Sequence, residues 1–337
     1  MYRDHLLIGP LPPEYGGTTV LFQQLVESPE FLNSIIINTN KYNNYLLKLA
    51  YCITKFAYFS TKAKSASLHC STPTMRYLMP LFYAISKITR CKLSVRKFGG
   101  DYYDNMVSPK FTDRLVLSIL KKLHAINFET LAEVNHLRKI GFDNVFWYPN
   151  TRKKTKFLRE KFSSNEELLR VVFVGKVCVE KGVLDLVNSV QNLTGVKVDF
   201  YGDASDSTDL VQRINGARNC AFQGQVEPQL IQKTISDYDL LCLPTYYSGE
   251  GYPGVILEAY SCGVPVISTS WKCIPEILEN GVHGWLVEPK DYLALSDLIK
   301  QISTSREVLY DVSSNVKEYF LNFEESSRRK VFIDSVI

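Results

Sequence analysis

No two cysteines in this sequence stand in C-x-x-C spacing, so neither a zinc site nor a redox couple is legible. The eight cysteines (Cys52, Cys70, Cys91, Cys178, Cys220, Cys242, Cys262, Cys273) are scattered. Several sit in apolar runs such as Leu240–Pro244, where Cys behaves as a small hydrophobe. That usage points to a reducing compartment. No run reaches the roughly 18 apolar residues of a membrane span, and the apolar stretch near the N-terminus is too short for a signal peptide. The five histidines form no metal-ligand spacing. G-x-S-x-G, P-loop, H-E-x-x-H and G-x-G-x-x-G are all missing, as are repeats and low-complexity tracts. These absences argue against a disulfide scaffold, a membrane-spanning protein and a metal enzyme. They leave a cytoplasmic protein, or one peripheral to the inner face of the cell membrane.

What is present suits two domains: 337 residues, 45% hydrophobic and 22% charged. The net charge is only +4, but residues 1–150 hold 18 Lys and Arg against 10 Asp and Glu, leaving an acidic second half. A basic half favours an anionic lipid or a phosphate-bearing partner. The chain alternates strand-like runs with helical segments, as parallel βαβ units require. In the first half the strands are read at 5–9, 35–38, 65–71, 92–98, 125–128 and 144–150. The alternation restarts with 169–175, 196–202, 235–244, 265–269 and 284–289. Residues 44–60 are apolar and aromatic with interleaved Lys48 and Lys55. The charged stretch 151–168 lacks an apolar period and reads as the linker. The expected architecture is α/β, with two Rossmann-like, doubly wound parallel-sheet domains facing across a cleft. The boundaries are expected at 1–152 and 153–317, with a C-terminal helix of about 318–337 packing back on the first domain. Ligands of such sheets bind outside the carboxyl ends of the strands.

Three segments fall on that edge. Glu250-Gly251-Tyr252-Pro253-Gly254-Val255-Ile256-Leu257-Glu258 follows a strand and opens a helix, with Pro253 placed for the first turn. The N–H groups of Gly254, Val255 and Ile256 would point at one spot that suits a diphosphate. Glu250 ahead of the helix and Glu258 one turn inside it would reach opposite ends of such a ligand. The plainer alternative is an acidic residue near a helix start plus an ordinary helical Glu. Gly175–Gly182 brackets a loop with Lys176 and Lys181, which either neutralise a leaving diphosphate without a metal or are solvated surface lysines. In Gly9–Thr18, Gly16 and Gly17 let the backbone approach a ligand or simply bend the chain. Gly99 and Gly100, after Lys97, are open to the same two readings. His69 ends a strand where substrate contact is conceivable, though a structural histidine is the more common outcome. Asp237-Tyr-Asp239 resembles a metal-binding DxD but precedes its strand, on the wrong edge.

Together these residues resemble the retaining glycosyltransferases of family 4, of the GT-B fold, and the resemblance implies a place in bacterial surface polysaccharide synthesis. The stretch Asp239–Pro289 is similar to the family's E-x7-E region with its following "G-PV" and "PEI…G-LV-P" segments. Residues 171–182 resemble its "G-R-L-x-x-x-K-G" loop, and Trp147–Arg152 its interdomain "P-N". The resemblance implies transfer of a sugar from a nucleoside-diphosphate-sugar, UDP- or GDP-linked, to a glycan or lipid-linked glycan hydroxyl, with no metal and no separate cofactor. It implies that Glu250 positions the donor sugar, Glu258 holds the ribose, and Lys176 and Lys181 bind the diphosphate. Backbone from 253–256 and Gly17 joins them, and Val226 lines the base pocket. Lys176 stands where the family has Arg, and Lys97-Phe-Gly-Gly where many members have His-Gly, so no histidine is assigned to the sugar there. The lysines of 41–67 among aromatic residues would suit an anionic membrane surface, or merely a solvated helix face. A nucleotide-sugar epimerase or hydrolase of the same fold, or a non-catalytic nucleotide-sugar-binding subunit, are the alternatives. Nucleic acid is not an expected partner.

Overall fold

The computed structural model describes residues 4–12 and 17–337; Gly16, singled out above, lies outside them. The chain forms two compact units, residues 1–150 with 326–337, and residues 151–325. The first contains β1 (His5–Gly9), β2 (Ile35–Asn38), β3 (Ser65–Cys70), β4 (Lys92–Lys97), β5 (Ala125–Phe128) and β6 (Val145–Trp147), all parallel, in the order β2-β1-β3-β4-β5-β6. The second contains β7 (Leu169–Val174), β8 (Val196–Tyr201), β9 (Cys220–Gly224), β10 (Leu240–Leu243), β11 (Val266–Thr269) and β12 (Gly284–Val287). These are again parallel, in the order β12-β11-β10-β7-β8-β9. Helices link successive strands, and central strands such as β1 and β10 are buried along their whole length. That double-sided burial is why they read as near-continuous apolar runs.

The boundaries differ from those expected. Thr151 and Arg152 belong to the second unit, and so do residues 318–325. The reason is local pairing: the Arg152 amide donates to the Phe323 carbonyl (3.0 Å), and the Glu325 amide to the Arg152 carbonyl (3.0 Å). The helix Glu307–Tyr319 and the turn after it pack on the helix Gly254–Cys262. Residues 153–168 contain no helix or strand, but they are not loose. Asp239, discounted as a metal ligand, is fully buried and anchors them. It accepts from Ser163 Oγ (2.6 Å), the Ser163 amide (3.0 Å) and the Arg170 amide (2.9 Å), and pairs with Arg159. Burial alone would raise its carboxyl pKa; these hydrogen bonds and the Arg159 charge outweigh it and hold the group below the usual carboxylate range.

Strand alternation gives the first sheet two unlike faces. Leu6, Ile8, Leu68, Val95 and Ile126 face one apolar core. The opposite face presents His5, Ser65, Ser67 and His69, all buried. Phe22 from the helix Gly17–Val26 and Phe332 from the helix Glu325–Val336 lie against His69, with ring centroids 4.9 and 5.3 Å away. His5 bonds Ser65 (2.8 Å) and Ser67 (2.9 Å), and Ser67 bonds His69 (3.0 Å). Burial pushes the His5 imidazole down to about 4, and that of His69 well down too. In the unfolded chain such a group titrates near 6.5, so between those values the folded state binds fewer protons. Stability is therefore complete above about pH 6.5 and falls as pH drops towards 4, by roughly 3 kcal/mol for His5 alone. Urea unfolding at pH 6.5 and 5.5, before carboxylates contribute, should show this slope, and His5→Asn should flatten it. An equal slope in the variant would remove the assignment.

Candidate functional site

In the second sheet the strand order reverses at β7, which lies between β10 and β8. The crevice beyond the carboxyl ends of β7 and β10 is thus the topological switch point where open α/β sheets bind ligands. The two loops leaving those strands clasp each other there. The Tyr246 amide donates to the Glu180 carbonyl at 2.8 Å. Gly182 adopts φ +76°, and a Cβ on it would lie 2.1 Å from the Pro244 carbonyl oxygen. Only glycine permits that approach.

Across this clasp Lys181 Nζ donates to Glu250 Oε2 at 2.6 Å, and Thr245 Oγ1 donates to the same oxygen at 2.8 Å. Glu250 is 7% exposed and Thr245 is fully buried. The Lys181 ammonium also lies 5.1 Å from the centroid of the Tyr247 ring. Lys181 and Glu250 are 69 residues apart in sequence. They meet because β7 and β10 are neighbours.

Further along, the helix Gly254–Cys262 begins one residue later than a first-turn proline would require. Pro253 is its N-cap, with no side-chain cap. The Ile256 amide donates to the Pro253 carbonyl at 3.1 Å, so it is not one of the convergent donors expected from the sequence. Gly254 and Val255 remain at the helix start, whose positive end is uncapped. Tyr252, expected at the donor, is 2% exposed and bonds Glu276 through its hydroxyl, so Gly251–Pro253 offer backbone to that site and no aromatic side chain.

Glu258 has a partner that sequence reasoning missed. Arg152 Nε donates to Glu258 Oε1 at 2.7 Å, and its guanidinium abuts the start of the helix: a Cβ on Gly254 would sit 1.5 Å from Arg152 Nη2. A cation at a helix N-terminus opposes the dipole, and the Glu258 carboxylate compensates. The only sequence signal was Arg152 ending Trp147–Arg152 beside the linker. Lys176, conversely, is drawn away. It is half exposed and faces Asp206 at 3.5 Å. The positive charge at the segment 250–258 thus comes from Lys181, the helix start and Arg152.

At the carboxyl ends of β8 and β9 an open pocket of about 400 Å³ is lined by Gly202, Asp203, Ser205, Phe222 and Gln225 among others. Val226, the expected pocket residue, follows in the same loop, half-buried, but does not line it.

In the first unit Gly17 opens a helix, and a Cβ there would meet nothing within 4 Å. Gly99 takes φ +76° and its amide donates to Glu129 (2.8 Å), while Gly100 is half-buried beside it. Lys97, buried at 0% exposure, ties this turn by bonding the Gly99 carbonyl, Asp101 (2.7 Å) and Glu133 (2.9 Å). His69 is corrected: it is fully buried against Phe22, Phe98 and Phe332 and belongs to the core. Among the described residues no three His, Cys, Asp or Glu side chains gather as a metal site, and no helix is long and apolar enough to cross a membrane.

Residues 169–305 match the family model described as glycosyl transferases group 1. The chain is 31% identical over 146 residues to the amylovoran biosynthesis glycosyltransferase AmsK of Erwinia amylovora, covering 40% of this chain and 36% of that one. It is 23% identical over 195 residues to the alpha-galactosylglucosyldiacylglycerol synthase of Streptococcus pneumoniae, covering 56% and 50%. The chain therefore spans half or less of the length of these relatives. Its fold matches that of HepE from Anabaena, solved with UDP and glucose, at a TM-score of 0.74 and 15% identity over 99% of both chains. The two six-stranded parallel sheets are those of the GT-B fold.

Proposed function

We propose, from the membership of residues 169–305 in the group 1 glycosyl transferases, that this chain transfers a sugar from a nucleoside-diphosphate-sugar to a hydroxyl of a glycan acceptor, with retention at the anomeric carbon. The observation that carries the reading is that Lys181 and Arg152 pair with Glu250 and Glu258, the two carboxylates of the segment that opens the helix at Gly254. The diphosphate sits against that helix start, where the N–H dipoles favour an anion. Lys181 and Arg152 take up the charge that develops on the leaving phosphate as the glycosidic C–O bond breaks, so a metal is not needed for this role. Glu250 accepts hydrogen bonds from donor-sugar hydroxyls. Arg152 bonds Glu258 through Oε1, and Glu258 offers Oε2 to the ribose hydroxyls. The pocket beyond β8 and β9 has the size and the aromatic Phe222 to hold the base. The acceptor hydroxyl attacks the oxocarbenium-like carbon from the face the nucleotide leaves and gives its proton to the leaving phosphate oxygen.

The acceptor in this reading is a lipid-linked oligosaccharide of surface polysaccharide assembly. The helix Tyr45–Ser60 supports it: Tyr45, Leu46, Leu47 and Tyr58 are exposed, and Lys62 bonds the Tyr58 hydroxyl at 2.8 Å. Exposed rings among lysines suit the interface of an anionic membrane.

A thermal-shift screen against UDP-, GDP- and ADP-sugars tests the donor assignment. At a hundredfold excess over Kd the matching donor stabilises by about 2.7 kcal/mol, a rise of roughly 5–10 °C for a unit of this size. A flat response to every nucleotide-sugar would remove the reading.

A further inference from the structure

At the end of the first sheet away from Gly99 and Gly100, a pocket of about 350 Å³ opens below the helix Thr72–Thr89. The start of β4 and the turn entering β5 complete its wall. β4 has six residues, so the pocket lies about 20 Å along the strand from that glycine turn. Its floor is apolar, with buried Leu93 and Leu123. Its rim carries Lys87, Arg90, Lys92 and Lys122, with His124 between the strands. No acidic side chain lines it. None of the four cations makes a salt bridge among the described residues. Asp4, an acid at the same end of the sheet, is held by Lys64 at 2.9 Å. The sequence supplies this imbalance: from Phe31 to Gly100 there are eleven Lys and Arg and no Asp or Glu.

Two ordinary explanations fall short. The pocket adjoins the C-terminal ends of two helices, Thr72–Thr89 and Phe111–Leu120, and helix ends attract cations. Each end supplies only about half a negative charge, so the two together offset about one of four cations. A merely solvated rim would also not require Arg90 where it is. Arg90 is a helix C-cap at φ +61°, a left-handed conformation in which glycine is the usual residue. The chain therefore holds a full cation in a strained position beside three others, in a concave wall that focuses their field.

The geometry points to a site for a phosphate group carried on a partly apolar molecule. A phosphate brings one negative charge as a diester or close to two as a monoester, with two or three free acceptor oxygens that match the rim, and the Leu93–Leu123 floor takes the group attached to it. Both a phospholipid headgroup and a free phosphorylated metabolite have this chemistry. The site does not rest on the donor reading, and its residues are separate from Lys181, Glu250, Arg152 and Glu258.

His124 is a reporter inside the pocket. Burial and then the Lys92 charge hold its imidazole below the ordinary value, so an anion bound beside it moves its ring signals. The experiment is a titration of the whole chain with inorganic phosphate at fixed pH, with ionic strength held by sodium chloride, followed by NMR of the histidine rings. His124→Gln assigns the signal. The His124 signal should move saturably. In Lys92→Gln/Lys122→Gln the midpoint should rise about tenfold, the scale of one or two screened charge contacts. The other four histidine signals report that this variant is folded. In parallel, co-sedimentation with vesicles of equimolar phosphatidylglycerol and phosphatidylcholine, against pure phosphatidylcholine, separates the sources. Binding lost in the double variant identifies a lipid headgroup; saturation by phosphate without vesicle binding identifies a soluble ligand. A His124 shift that follows ionic strength alone, or an unchanged midpoint in the variant, together with no variant-sensitive vesicle binding, overturns the site.

Discussion

Glu250→Gln should abolish detectable sugar transfer, a fall of at least about a thousandfold, while the protein stays folded. The glutamine keeps the shape and can still accept from Thr245, which donates to Oε2 at 2.8 Å. What it removes is the negative charge 2.6 Å from Lys181. That charge fixes where the ammonium points, and in the proposed reaction it also accepts the donor hydroxyls. The stability cost should be modest, about 1–2 kcal/mol, because Lys181 is 18% exposed and can turn to water. Steady-state transfer assays and a thermal melt on the same preparation check both halves. Wild-type turnover in this variant would show that Glu250 is only a structural partner of Lys181.

Gly182→Ala should cost about 3–5 kcal/mol. Two terms combine. The residue sits at φ +76°, where alanine pays about 1–2 kcal/mol. In addition its Cβ would stand 2.1 Å from the Pro244 carbonyl oxygen, a backbone atom that moves only if the clasp between the two loops opens. Gly195 provides the control: it has nearly the same φ, +74°, but nothing within 4 Å of its Cβ. Gly195→Ala should therefore show only the dihedral term. Urea unfolding of the two variants isolates the contact. Because Lys181 precedes Gly182, the same substitution should weaken donor binding at temperatures where the protein is still folded. Equal losses for the two alanines would show that the clasp is not tight.

The sheets were legible because parallel strands buried on both faces leave uninterrupted apolar runs, such as Leu169–Val174 and Leu240–Leu243. β9 escaped notice because it is an edge strand: only Cys220 is buried, so Cys220–Gly224 carries neither a run nor an alternation. The helix Tyr45–Ser60 was obscured for the opposite reason, since Leu46, Leu47 and Tyr58 are apolar yet exposed and blur its period. In the site, the segment 250–258 could be found because its residues are contiguous. The pairing of its two glutamates could not. Lys181 reaches Glu250 through the adjacency of β7 and β10, and Arg152 reaches Glu258 from 106 residues away in a stretch that looked like a linker. Lys176 and Lys181 share one loop, yet the turn at Val179–Lys181 sends only Lys181 to Glu250, while Lys176 faces Asp206. The apolar pattern marks no difference between them, and only the backbone path separates them.

The most direct test of the donor site is calorimetric titration of the nucleoside diphosphate selected by the thermal-shift screen into wild type and Lys181→Ala, with Lys176→Ala as the comparison. The arrangement predicts that Lys181→Ala weakens binding by about a hundredfold, the scale of a charge-assisted contact to phosphate in a partly buried site. Lys176→Ala, at a residue turned towards solvent and Asp206, should change it by less than about fivefold. Equal affinities for wild type and Lys181→Ala would contradict the placement of the diphosphate between Lys181 and the helix start at Gly254.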